Sequence, residues 1–404
     1  MSAQDVSLEG QTIVSVAVAG LRVIREAAVL EQMNSKAGQP YRVAVASHDM
    51  ELLDRLGVFS SVSWQPVQVP GGVRLDVTVV ETLQRLPALA LAVTDEAGTS
   101  AGPALKLLSI RGWPHEFSAT ARFGGETLVE FREISAPLIR ERFWHSTQFS
   151  LRDRFNKVNQ FNENSNELDA RAGLRTSESA KHGVIFQTYR VRSEEDGATL
   201  EADNTDLTVS VGAVTEYDTR DLWREPTRGW WNSIDALWRT GSASYGTLNI
   251  DIRRYQPLGR RQTLLATSLL TVQSGTVGLD IPAYATFALG GANTVRGWGF
   301  NSRHGKNQLI TTFEYRVTAM PTRTFHVFGF NLYSGLAIAA FTDIGTAWDD
   351  AGFSDNAIGG GGIGLRLFVP FVNMIRLDFA FGDGHAHGLI GINEKAVAAR
   401  NRVR

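Results

Sequence analysis

Three stretches of this chain carry residue types that do covalent chemistry in other proteins. Gly98-Thr99-Ser100-Ala101-Gly102 is a literal G-x-S-x-G, the spacing that seats a nucleophilic serine on a sharp strand-to-helix elbow. Gly359 to Gly362, followed by Gly364, would suit a glycine-rich oxyanion loop, and Asp383-Gly384 would add the acid of an esterase site. His385 and His387 form a His-x-His pair, which on a strand puts two imidazoles on one face and suits a metal.

The flanks of these motifs argue for backbone roles instead. An elbow needs a buried strand before the serine and a helix after it. Here Thr94-Asp95-Glu96 precedes the motif and Pro103 follows it. Gly98 to Gly102 therefore reads as the hairpin turn joining two strands. The glycines at 359–362 read as a strand that another backbone approaches closely. Asp383-Gly384 reads as a turn between the last two strands, with solvated histidines beside it. No zincin motif, Walker loop or dinucleotide fingerprint is present. The expectation is no catalytic residue, no metal and no cofactor.

A different residue stands out physically. Leu289-Gly290-Gly291-Ala292-Asn293-Thr294-Val295-Arg296-Gly297-Trp298 lies between two strand-like segments, in a loop running from about Ser274 to Gly305. Structureless loops of that length are uncommon unless they are functional. This one is apolar enough to require a protein environment. Arg296 at its tip would then be desolvated and would need a carboxylate partner.

The elements that would hold such a loop are strands. From Pro87 onward the chain is a succession of about sixteen segments roughly ten residues long, separated by Gly, Asp, Asn, Ser or Pro clusters. Several alternate cleanly. Leu248, Ile250 and Ile252 oppose Thr247, Asn249, Asp251 and Arg253; Leu168, Ala170, Ala172 and Leu174 oppose Glu167, Asp169, Arg171 and Arg175. Sandwich strands also alternate but are usually five or six residues long. Strands of about nine to eleven residues are what a membrane barrel needs, apolar outward and polar toward the lumen. Trp144, Trp230, Trp231, Trp238, Tyr255 and Trp348, near segment ends, would form interfacial girdles.

The first eighty residues differ. Thr12 to Val18 and the segments Ser61 to Val67 and Val73 to Val80 read as strands, and Ile24 to Met33 and Val43 to Leu56 as helices. The domain organisation expected is a tail over 1–10, a small α+β module over 11–83, a barrel over 87–395 and a basic tail over 396–404.

Composition narrows the class. Forty basic against forty-two acidic residues leave a net charge of −2, without the basic face of a nucleic-acid protein. The absence of cysteine excludes disulfides and thiolate metal sites. No apolar run is long enough for a membrane helix. Residues 1–10 lack the basic and apolar regions of a signal peptide. They fit either a cytoplasmic protein or a mature exported one.

The chain resembles the BamA/TamA/two-partner-secretion outer-membrane barrel superfamily, of the bacterial surface antigen type. Val295-Arg296-Gly297-Trp298 is similar to that family's Val-Arg-Gly-aromatic tip of the sixth extracellular loop. Tyr217-Asp218-Thr219-Arg220-Asp221, with Pro226-Thr227-Arg228-Gly229, resembles its strand-end signature. Phe313-Glu314-Tyr315-Arg316, Phe341-Thr342-Asp343-Ile344-Gly345 and Gly362-Ile363-Gly364-Leu365-Arg366 resemble its C-terminal strands, in order. Residues 11–83 resemble one POTRA domain, with Val16, Gly20, Ile24, Gly38, Tyr41, Asp49, Leu53, Gly57, Phe59 and Val62 at its apolar and turn positions. The C-terminus departs from the family: no final aromatic follows Ile392, and Glu394 leads into the basic tail.

The resemblance implies a mainly β fold, an antiparallel barrel of about sixteen strands in the bacterial outer membrane, with one periplasmic α+β POTRA domain. It implies that the loop folds into the lumen and that Arg296 pairs with Asp343 and Glu314. Strand parity agrees, because Phe313 and Tyr315 would point outward and leave Glu314 inside. It implies insertion or translocation of unfolded outer-membrane or secreted polypeptide, engaged by β-augmentation, with outer-membrane lipids as surroundings. The alternative is a passive or self-associating barrel, a homo-oligomeric pore or anchor.

Overall fold

The structure, a computed structural model, describes residues 8–135, 142–222, 225–327, 330–369 and 372–395. Most of the N-terminal tail and the whole of the basic tail over 396–404 lie outside the described residues.

The chain opens with an α+β unit: strand β1 (Ile13–Ala19), helix α1 (Glu26–Gln32), helix α2 (Val43–Arg55), and strands β2 (Phe59–Val69) and β3 (Gly72–Glu81). The sheet order is β1-β3-β2, with β1 parallel and β2 antiparallel to β3. Gly71 and Gly72 supply the positive φ (90° and 149°) of the β2–β3 turn. Ala28, Val29 and Leu53 from the helices bury against Ile13, Leu75 and Val77 of the sheet.

Sixteen antiparallel strands follow as one continuous sheet. They are β4 (Arg85–Thr94), β5 (Gly98–Ile110), β6 (Trp113–Gly124), β7 (Glu126–Ser135), β8 (Phe143–Asn156), β9 (Phe161–Arg175), β10 (Ala180–Arg192), β11 (Thr205–Asp218), β12 (Gly229–Gly241), β13 (Tyr245–Gly259) and β14 (Gln262–Gln273). After the long loop, which contains the short strands β15 (Phe287–Leu289) and β16 (Arg303–Gly305), come β17 (Asn307–Val327), β18 (Phe330–Trp348), β19 (Ile358–Val369), β20 (Asn373–Phe381) and β21 (Ala386–Ile392). The sheet curls until β21 and β4 come close, giving a nearly closed barrel. No ladder joins those two strands among the described residues.

The barrel is inside out relative to a water-soluble fold. On β13, Leu248 and Ile252 are exposed, whereas Thr247, Asn249, Asp251 and Arg253 are buried. On β9, Leu174 is exposed while Asp169 and Arg171 are buried. Phe123, Phe131, Phe149, Ile234, Ile338 and Ile363 continue the apolar outer surface across other strands. Each such side chain left in water would forgo about 1.5–3 kcal/mol of burial, so a band of this extent needs an apolar solvent. No helix among the described residues is long and apolar enough to cross a membrane.

Two expectations need correction. The turn between β4 and β5 is Asp95 to Ala97, and Gly98 to Gly102 is the first stretch of β5, with Ser100 buried in the sheet. A three-residue turn suffices to reverse the chain, so the glycines stay in the ladder. The girdle is also only partial. Trp230 and Trp238 stand on the outer face. Trp144 instead packs inside on Ile185, Val214 and Leu237, and the Tyr255 hydroxyl donates to Glu394 at 2.6 Å. Strand parity outranks closeness to a segment end: Trp144 and Tyr255 fall on the inward register.

The α+β unit leans on one rim of the barrel, here the proximal rim. The Arg25 amide donates to the Gly112 carbonyl at 2.9 Å. The Arg55 guanidinium donates to the Arg220 carbonyl at 2.7 Å, and Arg228 pairs with Glu51. His48 and Asn34 reach Glu178 in the β9–β10 turn at 2.8 and 3.2 Å. Trp113, at the start of β6, packs against the hydrophobic core of the unit.

Candidate functional site

The loop between β14 and β17 enters the barrel from the distal rim. It is pinned first by the small β15–β16 hairpin and then by a compact tip. The Thr294 hydroxyl donates to the Gly290 carbonyl (2.7 Å), and the Gly291 amide donates to the Trp298 carbonyl (2.8 Å). Asp95, in the β4–β5 turn, accepts from the Ala292 amide at 2.9 Å. Val295 and Leu289 bury completely among Leu269, Ile310, Ala347 and Ile358 on the barrel wall.

Two glycines make this seating sterically feasible. Gly297 has a φ of 89°, and a Cβ there would lie 2.4 Å from the Phe381 backbone. A Cβ at Gly360 would lie 2.0 Å from the Arg296 carbonyl oxygen. The Gly297 carbonyl accepts from the Asp383 amide, and the Trp298 indole donates to the Gly359 carbonyl at 2.8 Å. The two glycine-rich segments that mimic esterase motifs are thus the wall on which the loop rests. His387 pairs with Asp383 at 2.9 Å in the β20–β21 turn.

Arg296 is fully buried. Its Nε and Nη2 donate to the two oxygens of Asp343 at 2.7 and 3.0 Å, a bidentate pair. Its Nη1 reaches Asp378 at 3.1 Å and Glu314 at 3.4 Å. Its own amide also donates to Asp343, and its guanidinium lies 3.3 Å from the centroid of the Phe341 ring. The six residues expected at this site, Val295, Arg296, Gly297, Trp298, Glu314 and Asp343, therefore come together. The ion pairs of Arg296 are charge-assisted and desolvated, so their strength depends on the whole set being complete.

The set is larger than the sequence motifs indicate. Arg366 makes a bidentate pair with Glu314 (2.9 and 2.7 Å) and reaches Asp378 at 2.6 Å. Arg376 contacts Asp378 at 3.3 Å and donates to the Ala292 carbonyl and the Asn293 amide oxygen in the loop. Arg316 links Glu314 to Glu394 at 2.6 and 2.8 Å. Lys395 donates to Asp343 at 3.0 Å and also to Thr312. Five cations thus face four carboxylates. Arg376 and Asp378 carried a usable signal, since both alternate with Ile375, Leu377 and Phe379. Lys395 carried none: it follows the last strand, and its position depends on the chain turning inward at Asn393, where φ is 64°.

This arrangement ties one loop to β17, β18, β19 and β20 at once, and the turn after β21 is tied in through Glu394 and Lys395.

Comparison with known proteins agrees with the architecture. The profile of the Omp85 superfamily domain matches residues 118–388. The structure is similar to that of BamA from Haemophilus ducreyi lacking POTRA domains 1–3, with a TM-score of 0.59 at 13% identity, covering 95% of this chain and 83% of that one. It is also similar to CdiB from Acinetobacter baumannii, with a TM-score of 0.54 at 12% identity, covering 95% and 71%. A search of curated proteins by sequence finds no match. With a buried Arg296 loop inside sixteen strands, and two thirds of its length matched by the family profile, the chain belongs to the Omp85 superfamily of outer-membrane barrels.

Proposed function

We propose that the protein inserts polypeptide into the bacterial outer membrane or moves it across. We read residues 11–83 as a single POTRA domain in the periplasm and residues 87–395 as the barrel. The observation that carries this reading is the seam. Among the described residues, β4 and β21 end a sixteen-stranded sheet and lie side by side without a ladder. Each offers unpaired backbone groups to an incoming strand, the chemistry of β-augmentation. A second open edge supports it, because among the described residues β2 pairs only with β3. An extended client would add at β2 in the periplasm and be handed to the seam. Arg296 and its carboxylates would keep β17 to β20 rigid while the adjoining, unladdered β21–β4 seam opens.

Depletion tests the reading. Loss of many outer-membrane proteins supports insertion, and loss of one exported partner supports secretion. Normal levels of both overturn the transport reading in favour of a passive or self-associating barrel. A disulfide engineered across the seam should reproduce the depletion phenotype and be relieved by reductant. The chain has no cysteine to compete.

A further inference from the structure

We propose that His115, Glu133 and His145 bind one divalent transition-metal ion of the zinc class on the outer face of the barrel, near the proximal rim. The three residues stand on adjacent strands, β6, β7 and β8. Glu133 faces Phe117 and Thr147 in the ladders, which makes the two histidines its diagonal neighbours. Their parity is that of Phe123, Phe131, Phe143 and Phe149, all exposed on the apolar outer surface. Three polar ligand groups are out of place on such a surface unless something satisfies them together.

Hydrogen bonding leaves two of their buried atoms without a partner. Glu133 Oε1 lies 2.5 Å from His115 Nε2 and 2.9 Å from His145 Nε2. Yet this buried oxygen has no partner at hydrogen-bonding angles, and His145 Nδ1 is buried without one as well. The two imidazole rings sit 6.0 Å apart, and Phe143 stacks on His145 at 5.8 Å. One ligand atom from each residue lies within 4.8 Å of the others.

That geometry is close to a metal site. Zinc bonds of about 2.0–2.2 Å in a tetrahedron place ligand atoms about 3.3 Å apart. Swinging the Glu133 carboxylate back by less than about 1 Å would open this space between the imidazoles. The backbones are already held by the β6–β7 and β7–β8 ladders, so little order is lost on binding. Two imidazoles and one carboxylate, with a fourth position open, suit zinc-class ions. Calcium and magnesium prefer six or more oxygens.

The ion would staple three strands where the α+β unit bears on the barrel. His115 lies three residues beyond Gly112, which accepts from the Arg25 amide, and two beyond Trp113, which packs on that unit.

The test uses the untagged full chain in detergent, stripped with chelator. Titration with zinc chloride should show one equivalent bound per chain. Cobalt(II) should give the visible bands of a tetrahedral ion. His115→Asn, His145→Asn and Glu133→Gln should each weaken binding at least tenfold, while heat-modifiable gel migration shows that the variants fold. Failure of the folded wild type to bind stoichiometrically overturns the proposal. So does binding that survives the double substitution of His115 and His145, which would assign it to residues outside this cluster.

Discussion

The charge cluster around Arg296 makes an ordered prediction about two substitutions. Removing one member of a buried ion pair costs about 3–5 kcal/mol, because the other member stays buried and uncompensated. Arg296→Met keeps most of the volume and leaves four cations facing four carboxylates. Asp343 then still holds Lys395 at 3.0 Å and Thr312. Asp343→Asn leaves five cations facing three carboxylates, and it removes the principal partner of both Arg296 and Lys395. The loss for Arg296→Met should fall near the low end, about 3 kcal/mol, and that for Asp343→Asn near about 5 kcal/mol. Denaturant unfolding of the barrel in lipid vesicles, followed by tryptophan fluorescence, measures both. If Arg296→Met is as damaging as Asp343→Asn, Lys395 does not share the aspartate. If neither differs from wild type by more than about 0.5 kcal/mol, the loop does not brace the barrel.

Three further outcomes follow. Gly297→Ala should cost more than about 1 kcal/mol, since its φ of 89° and the Phe381 backbone both exclude a side chain; protease sensitivity of the loop would report the undocking, and a resistant loop would refute it. Ile234→Arg places a charge midway along β12 on the lipid face and should cost about 2–4 kcal/mol, visible as lost heat-modifiable migration, whereas Ile234→Leu should be silent. Burial pushes the Glu178 carboxyl up, but hydrogen bonds from His48 and Asn34 outweigh it and hold the carboxyl below its ordinary range. A depressed folded value means that the contact's contribution is present above about pH 4.3 and is lost as pH falls through the lowered value. Cross-linking between the α+β unit and the β9–β10 turn should therefore drop in acid, and Glu178→Gln should remove that dependence.

Much of the barrel was legible because strand parity is a local, two-residue signal. Leu248 and Asp251 announce opposite faces whatever closes the sheet. The same rule placed Glu314 and Asp343 inside, and it was sufficient to place Asp378, which the motifs did not mark. Position along a segment is a weaker guide than register: Trp144 and Tyr255 stand near segment ends, where a girdle would be, yet lie in the lumen. The His115–Glu133–His145 cluster was illegible for another reason: its members are eighteen and twelve residues apart in sequence, and only the pairing of three strands brings them within reach.

By itself, the sequence determined the strand count, the inward and outward faces, and the need of Arg296 for carboxylate partners. All three depend on residue type and short-range spacing. Tertiary structure alone decided which cations share those carboxylates, that Lys395 joins them from beyond the last strand, and that β4 and β21 meet with no ladder among the described residues. Those outcomes depend on closing a sheet over some three hundred residues. Which side chains share the desolvated interior, and which edge stays open, is set only when the two ends of that sheet come together.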